Sequence, residues 1–525
     1  MTLVEVLVGL VAACVVLALL SRSVRIPPAV ALVFGGMALA LIPGIPRIEF
    51  DPHIALALFL PPLLQVSAFR TDWDAFRLEL RPILLLALGA VLFTAAVVAA
   101  TAKLLVPELP WAACIALGAI VAPPDAVAAT AVLKSIHIPR RLMTILEGES
   151  LLNDASSLIL YRFAVAATAV ASVSYTDAGT AFVLSAVGGT AVGWAVGRAV
   201  IASTRALDDT LLEIAAMVLA GFVAYMAAEY FHLSGVLAAV SCGLVFGRHQ
   251  HAVLSARTRV ESAAVWNFIE FLLTSLIFIL IGLQLRDVVE RLDQGIVQLA
   301  IVAAAVSAAL VLSRFVWVFA SAGIGKVMPA RFRVGRAAMP FPHLMVISWA
   351  GMRGVVSLAA ALALPIGFPG RDLIVFLAFC AILVTLVLQG LTLGWLIRVL
   401  GVGESAEGSA ADAEASVRRA GAEAALAAVE ARLYRGRVLG PPDTDMLREF
   451  RRRAEIARMM EQQGSLAARR NEARLQLELE AVQVARGAVL RRAHDLDGEA
   501  LQSIIEEMDF EEGRLSRALR HPEGH

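Results

Sequence analysis

Residues 147–159 read EGESLLNDASSLI. They lie inside an apolar run, 141–168, that is long enough to cross a bilayer, which takes about 20 residues of helix. On a helix, positions i, i+1, i+4 and i+5 share a face. Glu149, Ser150, Asn153 and Asp154 therefore form one polar stripe, with Ser157 following, while Leu151, Leu152, Leu158 and Ile159 point elsewhere. Ionisable groups at membrane depth cost on the order of 3 kcal/mol each and usually mark ion or proton pathways. Two acids in a single stripe favour an ion path over helix–helix glue.

The surroundings fit a membrane chain. Of 525 residues, 59% are hydrophobic and 17% charged, with a mean hydropathy of +0.76, which indicates a polytopic membrane protein. Thirteen apolar segments follow one another: 3–20, 27–44, 53–69, 82–105, 111–134, 141–168, 180–203, 209–230, 232–248, 262–285, 297–324, 341–366 and 372–397. The first is expected to be a retained helix, having no small-residue cleavage site after it. Odd-numbered connections carry 17 Lys and Arg, even-numbered ones only 5. The positive-inside rule then puts the N-terminus outside and the C-terminus in the cytoplasm.

The zero net charge averages two unlike parts, 1–403 and 404–525. From residue 404 there are 19 Arg, no Lys and 23 Asp and Glu. Mixed charges with apolar residues at helical spacing predict solvated amphipathic helices in this tail. Its basic residues are matched by acids, so nucleic acid is not suggested. The tail contains no Gly-rich phosphate loop or metal motif, and no cofactor is expected. Cys14, Cys114, Cys242 and Cys380 stand alone in apolar segments, without metal or disulfide spacing.

Two other spans are interrupted. In VAPPDAVAAT, 121–130, Pro123 and Pro124 remove backbone donors beside Asp125. In WAGMRGVVSLAAALALP, 349–365, Gly351 and Gly354 flank Arg353. Irregular backbone at membrane depth survives only where it is buried or lines a cavity. Two broken helices in matching positions point to an inverted-repeat transporter with a midplane site. Arg314 is a further charge deep in a span. Arg162, Glu213 and Glu229 are expected near an interface, as helix glue or snorkelling groups, and Glu270 somewhat deeper.

GESLLNDASSLILY, 148–161, resembles the signature of the monovalent cation:proton antiporter-1 family, which includes the animal sodium/proton exchangers. The interval from Asp125 to Asp154, the connecting KSIHIP, and the segments SGVLAAVSCGLVFGR, FLLTSLIFILIGLQL, SRFVWVF and AGMRGVVSLAAALALP are similar too. The likeness covers about residues 1–400. It implies an all-α homodimer in the lipid bilayer with thirteen spans, a dimerisation domain and a moving six-helix core. It implies Asp154 as essential cation and proton carrier, with Asp125 and Ser150 at the ion site. It also implies a Glu149–Arg314 pair, Asn153 at the crossing of the broken helices, and a site arginine at Arg353. Two features depart from the pattern: the proline precedes the acid in PPDA, and LPPLLQVSAF has Gln65 and Ser67 where some members carry a glutamate.

Asn153 cannot titrate, so exchange of one cation for one proton is expected, with Na⁺ as cargo and K⁺ as the alternative. An intramembrane aspartyl protease would need a Gly-x-Gly-Asp motif, which is absent. A passive cation channel is the remaining rival.

Overall fold

The computed structural model describes residues 3–24, 26–42, 52–125, 129, 133, 138–169, 175–204, 207, 209–284, 295–327, 339–402, 407–434, 441–463, 465–491 and 498–520. The described residues are almost entirely helical, and none is in a strand. They divide into two compact units, Met1–Gly403 and Glu404–His525.

The first unit opens with α1 (Leu3–Val24), α2 (Pro28–Ala40), α3 (Pro52–Arg70), and the short α4 (Trp73–Leu78) and α5 (Leu80–Leu84). A π-helical turn, Leu85–Ala90, joins α5 to α6 (Val91–Leu105). Then come α7 (Trp111–Val121), α8 (Arg140–Ala169), α9 (Tyr175–Thr204), α10 (Thr210–Tyr230), α11 (Gly235–Val253) and α12 (Ala256–Leu283). It closes with α13 (Ile296–Val327), α14 (Phe341–Trp349), α15 (Val355–Leu362), α16 (Arg371–Val384), a π-helical turn Thr385–Gln389 and α17 (Gly390–Val399).

Local chemistry sets the helix ends. Asp72, Asp209, Ser234 and Ser255 each accept a hydrogen bond from a first-turn backbone N–H at the start of α4, α10, α11 and α12. Six described stretches are long and apolar enough to span a membrane: Leu80–Leu105, Val183–Thr204, Thr210–Tyr230, Arg257–Leu283, Val297–Gly323 and Arg371–Val399. The 30-residue α8 is not among them, because its polar stripe lowers its hydropathy. Outward faces present Leu92, Leu184, Trp194, Val223, Phe268 and Val316, as a lipid-facing surface would.

Small residues let the helices approach closely. Gly36 on α2 and Gly282 on α12 face each other so tightly that a Cβ on either would strike the opposite backbone. Such contacts suit membrane helices, whose association relies on packing more than on water exclusion. One core cluster joins α6, α7, α13 and α16, a second joins α9, α10 and α11, and a larger one ties both ends of the unit together.

The second unit consists of α18 (Glu407–Tyr434), α19 (Pro441–Gln463), α20 (Ser465–Arg491) and α21 (Gly498–Arg520). Helices α20 and α21 bury Leu475 against Leu515 and Ala518. Surface ion pairs such as Arg458–Glu423 and Arg486–Glu512 run between helices.

Candidate functional site

The site lies where two interrupted helices meet. Helix α7 stops at Val121, because Pro123 and Pro124 cannot donate the hydrogen bonds that would continue it. Between α14 and α15, residues 350–354 leave the helix, with Gly354 extended at φ −148° and ψ −140°. The backbone N–H of Asp125 donates to the Met352 carbonyl at 2.7 Å, joining the two breaks. A Cβ on Gly354 would collide with the Asp125 carboxylate. Only glycine allows that approach.

Two side chains secure the crossing. Asn153 on α8 is fully buried, and its Nδ2 donates to the Pro124 carbonyl at 2.7 Å. Arg353 is 1% exposed. Its Nε donates to the Val121 carbonyl at 2.9 Å, Nη2 to the Ala122 carbonyl at 3.1 Å, and Nη1 to the Gly351 carbonyl. The guanidinium thus satisfies carbonyls left open where α7 ends, and its charge suits a helix C-terminus. Its own backbone N–H donates to Thr385 Oγ1 at 3.1 Å, within the second π-helical turn.

Beside the crossing, Arg314 of α13 donates from Nη1 and Nη2 to the Glu149 carboxylate at 2.5 and 2.8 Å. Its Nε donates to the Ile347 carbonyl of α14 at 3.1 Å. Both side chains are almost wholly buried, at 2% and 1% exposure. A fork-to-fork pair with a further hydrogen bond is the geometry that offsets desolvation best.

Asp154 and Asp125 line one cavity of about 60 Å³. Ser150 shares its wall, with Ser67 of α3, Thr274 of α12 and Ser357 of α15. The apolar part of the wall comes from Leu60, Leu63, Leu64, Leu151, Pro123 and Val356. Carboxylates, hydroxyls and open carbonyls are ligands for hard, weakly bound cations, and a carboxylate also takes a proton. Among the described residues no cluster of three His, Cys, Asp or Glu side chains forms a resident metal centre.

Some sequence expectations resolve differently. Ser157 leaves the ion-path stripe and donates to the Ala119 carbonyl of α7 at 2.6 Å, as helix glue. Leu151, expected to point elsewhere, lines the cavity. Gln65 turns away from it and donates to the Met217 carbonyl of α10 at 2.6 Å. Glu213 is buried in the first turn of α10. Arg162 pairs with Glu229 at 2.7 Å, and Arg70 with Glu270 at 2.6 Å, each away from the carboxylate cavity. Thr274, Ser357 and Thr385 were not singled out in the sequence; the only signal was a lone hydroxyl in an apolar helix. Residues 134–137 of the KSIHIP connection and most of the fifth span after Asp125 lie outside the described residues.

The sequence pattern of the transmembrane sodium/hydrogen exchangers matches residues 9–399. The chain belongs to this family. An uncharacterised Na⁺/H⁺ exchanger of Mycobacterium tuberculosis is 33% identical over 524 residues, covering 97% of this chain and 96% of the relative. A sodium, potassium, lithium and rubidium/H⁺ antiporter of Bacillus pumilus is 32% identical over 378 residues, covering 68% of this chain and 56% of that protein. The sodium proton antiporter MjNhaP1 of Methanocaldococcus jannaschii, solved at pH 8, superposes with a TM-score of 0.60 at 18% identity. The match covers 76% of this chain and 99% of MjNhaP1; at that identity the likeness concerns the fold alone. This sodium/hydrogen exchanger is a multi-pass membrane protein of a family of cation/proton antiporters, not enzymes.

Proposed function

We propose that this exchanger carries one monovalent cation, Na⁺ foremost, against one H⁺, and that the two compete for Asp154. The observation that carries the reading is the convergence of Asp154 and Asp125 on one cavity at the crossing of two interrupted helices. A cation there takes oxygens from Asp154, Asp125 and Ser150. A proton takes Asp154 instead.

Charge supports the one-for-one stoichiometry. Around the crossing stand three acids (Glu149, Asp125, Asp154) and two guanidiniums (Arg314, Arg353). Fully ionised, they leave one negative charge, which a single cation or a single proton neutralises. Moving an uncompensated charge through a low-dielectric interior is unfavourable, so the carrier moves readily only when loaded. Asn153, next to the carrier, has no proton to add. Exchange is therefore electroneutral and proceeds by alternating access.

Residues 1–403 form the transport domain, with about thirteen crossings arranged as inverted repeats, and the exchanger works as a homodimer in the cell membrane. The bias of Lys and Arg toward odd-numbered connections supports an external N-terminus and a cytoplasmic helical tail, 404–525. The mixed-cation name of the Bacillus pumilus relative favours K⁺ as the second cargo to test.

The test is exchange in proteoliposomes driven by a pH gradient, with Na⁺, Li⁺ and K⁺ in turn, with and without an imposed potential. Coupled flux that ignores the potential is the expected result. Flux that follows the potential contradicts electroneutrality, and current without a counter-gradient would make the protein a channel.

A further inference from the structure

The two aspartates and Ser150 reach the cavity from the unwound end of α7 and from α8, and Ser67 and Thr274 reach it from α3 and α12. Those two helices are tied together by Arg70, which donates to Glu270 Oε2 at 2.6 Å and to Asn267 Oδ1 at 2.8 Å. Ser67 lies one turn before Arg70 on α3, and Thr274 one turn after Glu270 on α12. Both line the cavity, so α3 and α12 run antiparallel there and the ion pair sets their register.

Thr274 behaves unlike many threonines in this chain. In helices, threonine hydroxyls commonly donate back to the carbonyl four residues earlier. Thr71, Thr101, Thr144, Thr190, Thr385 and Thr392 all do so. Thr274 Oγ1 is buried and has no hydrogen-bond partner. A buried hydroxyl without a partner is costly, and such groups call for an explanation. This one lines the same cavity as the Asp125 and Asp154 carboxylates.

We propose that Thr274 Oγ1 is a neutral ligand of the transported cation in the cavity it shares with the two carboxylates, and that it helps set cation preference. The inference rests on the proposed cation site at Asp154. Chemically, a hydroxyl adds an oxygen without adding charge, so the site keeps its single surplus negative charge while the ion gains a further ligand. A carboxylate at position 274 would instead add a second surplus negative charge to the site. The α3–α12 wall thereby acts on affinity and selectivity, and the α7–α8 side on proton competition.

The experiment compares wild type, T274V, T274S and D154N in proteoliposomes, measuring KM and maximal rate for Na⁺, Li⁺ and K⁺. Losing an oxygen ligand to a charged group is expected to raise KM for the preferred cation by about tenfold in T274V. The maximal rate changes less, and T274S stays within about twofold of wild type. The ranking of the three cations compresses in T274V, which a loss of packing alone would not produce. Should T274V fail to fold, T274A replaces it in the comparison. If the hydroxyl-free variant binds and ranks cations as wild type does, or if T274S is equally impaired, Thr274 is no ligand. D154N separates the two claims. An inactive D154N beside an unaffected T274V overturns only the role of Thr274, whereas wild-type exchange by D154N overturns the site itself.

Discussion

The Asp125 backbone N–H and the Met352 carbonyl meet at 2.7 Å, so the two interrupted helices are joined backbone to backbone beside the carboxylate cavity. The join depends on Gly354, because a Cβ there would occupy the space of the Asp125 carboxylate. Gly354→Ala is expected to displace Asp125 and to lower exchange at least about tenfold, with an overpacking cost of about 1–3 kcal/mol in stability. Proteoliposome flux, read beside a thermal melt in detergent, checks both halves.

The Glu149–Arg314 pair predicts an asymmetry between single and double changes. Removing one partner strands a buried charge and costs about 3–5 kcal/mol, whereas replacing both by apolar residues of similar volume is often tolerated. Glu149→Ala and Arg314→Ala should each cut the yield of folded protein. Glu149→Met with Arg314→Met should recover much of it. Monodisperse yield on gel filtration is the readout, and a double variant no better than either single one would contradict this.

Asn153 links stability to stoichiometry. Asn153→Asp replaces the amide that donates to the Pro124 carbonyl with a group that can titrate. Loss of the donor should cost about 1–3 kcal/mol. Surviving exchange should become sensitive to an imposed membrane potential, unlike the electroneutral flux proposed for the wild type.

The C-terminal helices predict a weak pH dependence. Hydrogen bonding from Arg514, set against some desolvation, holds the Glu511 carboxyl below the usual glutamate range, and Arg453 does the same for Glu449. Carboxylates with depressed pKa values stabilise the fold above the unfolded-state value and lose that contribution as pH falls through the folded-state value. Both pairs are largely exposed, so the contribution is small. Glu511→Gln should leave the full-length protein within about 1 kcal/mol of wild type. Hydrogen exchange in α21 should quicken only in strongly acidic solution.

The polar stripe of α8 was legible in the sequence because helical periodicity alone puts Glu149, Ser150, Asn153 and Asp154 together. The interruptions at Pro123–Pro124 and at Gly351–Gly354 were legible because each sits beside a charged residue inside an apolar run; Pro61–Pro62 and Gly188–Gly189 stay within continuous helices, so such pairs alone do not mark a break. The role of Arg353 was not legible, because its partners are the carbonyls of Val121, Ala122 and Gly351. Every residue has a carbonyl, so such acceptors leave no trace in a sequence. Ser157 misled for the same reason, its partner being the Ala119 carbonyl. Thr274 was hidden differently: a single hydroxyl in an apolar helix has no periodic companion to reveal which way it faces.

The proposed exchange turns on Asp154 binding either a proton or a cation, and titration calorimetry of Na⁺ into detergent-solubilised protein across a pH series tests this most directly. Below the pKa of the site, the dissociation constant should weaken about tenfold for each pH unit, as a one-proton linkage requires, and Asp154→Asn should abolish the binding heat. A dissociation constant that does not change with pH, or one unaltered in Asp154→Asn, would contradict it.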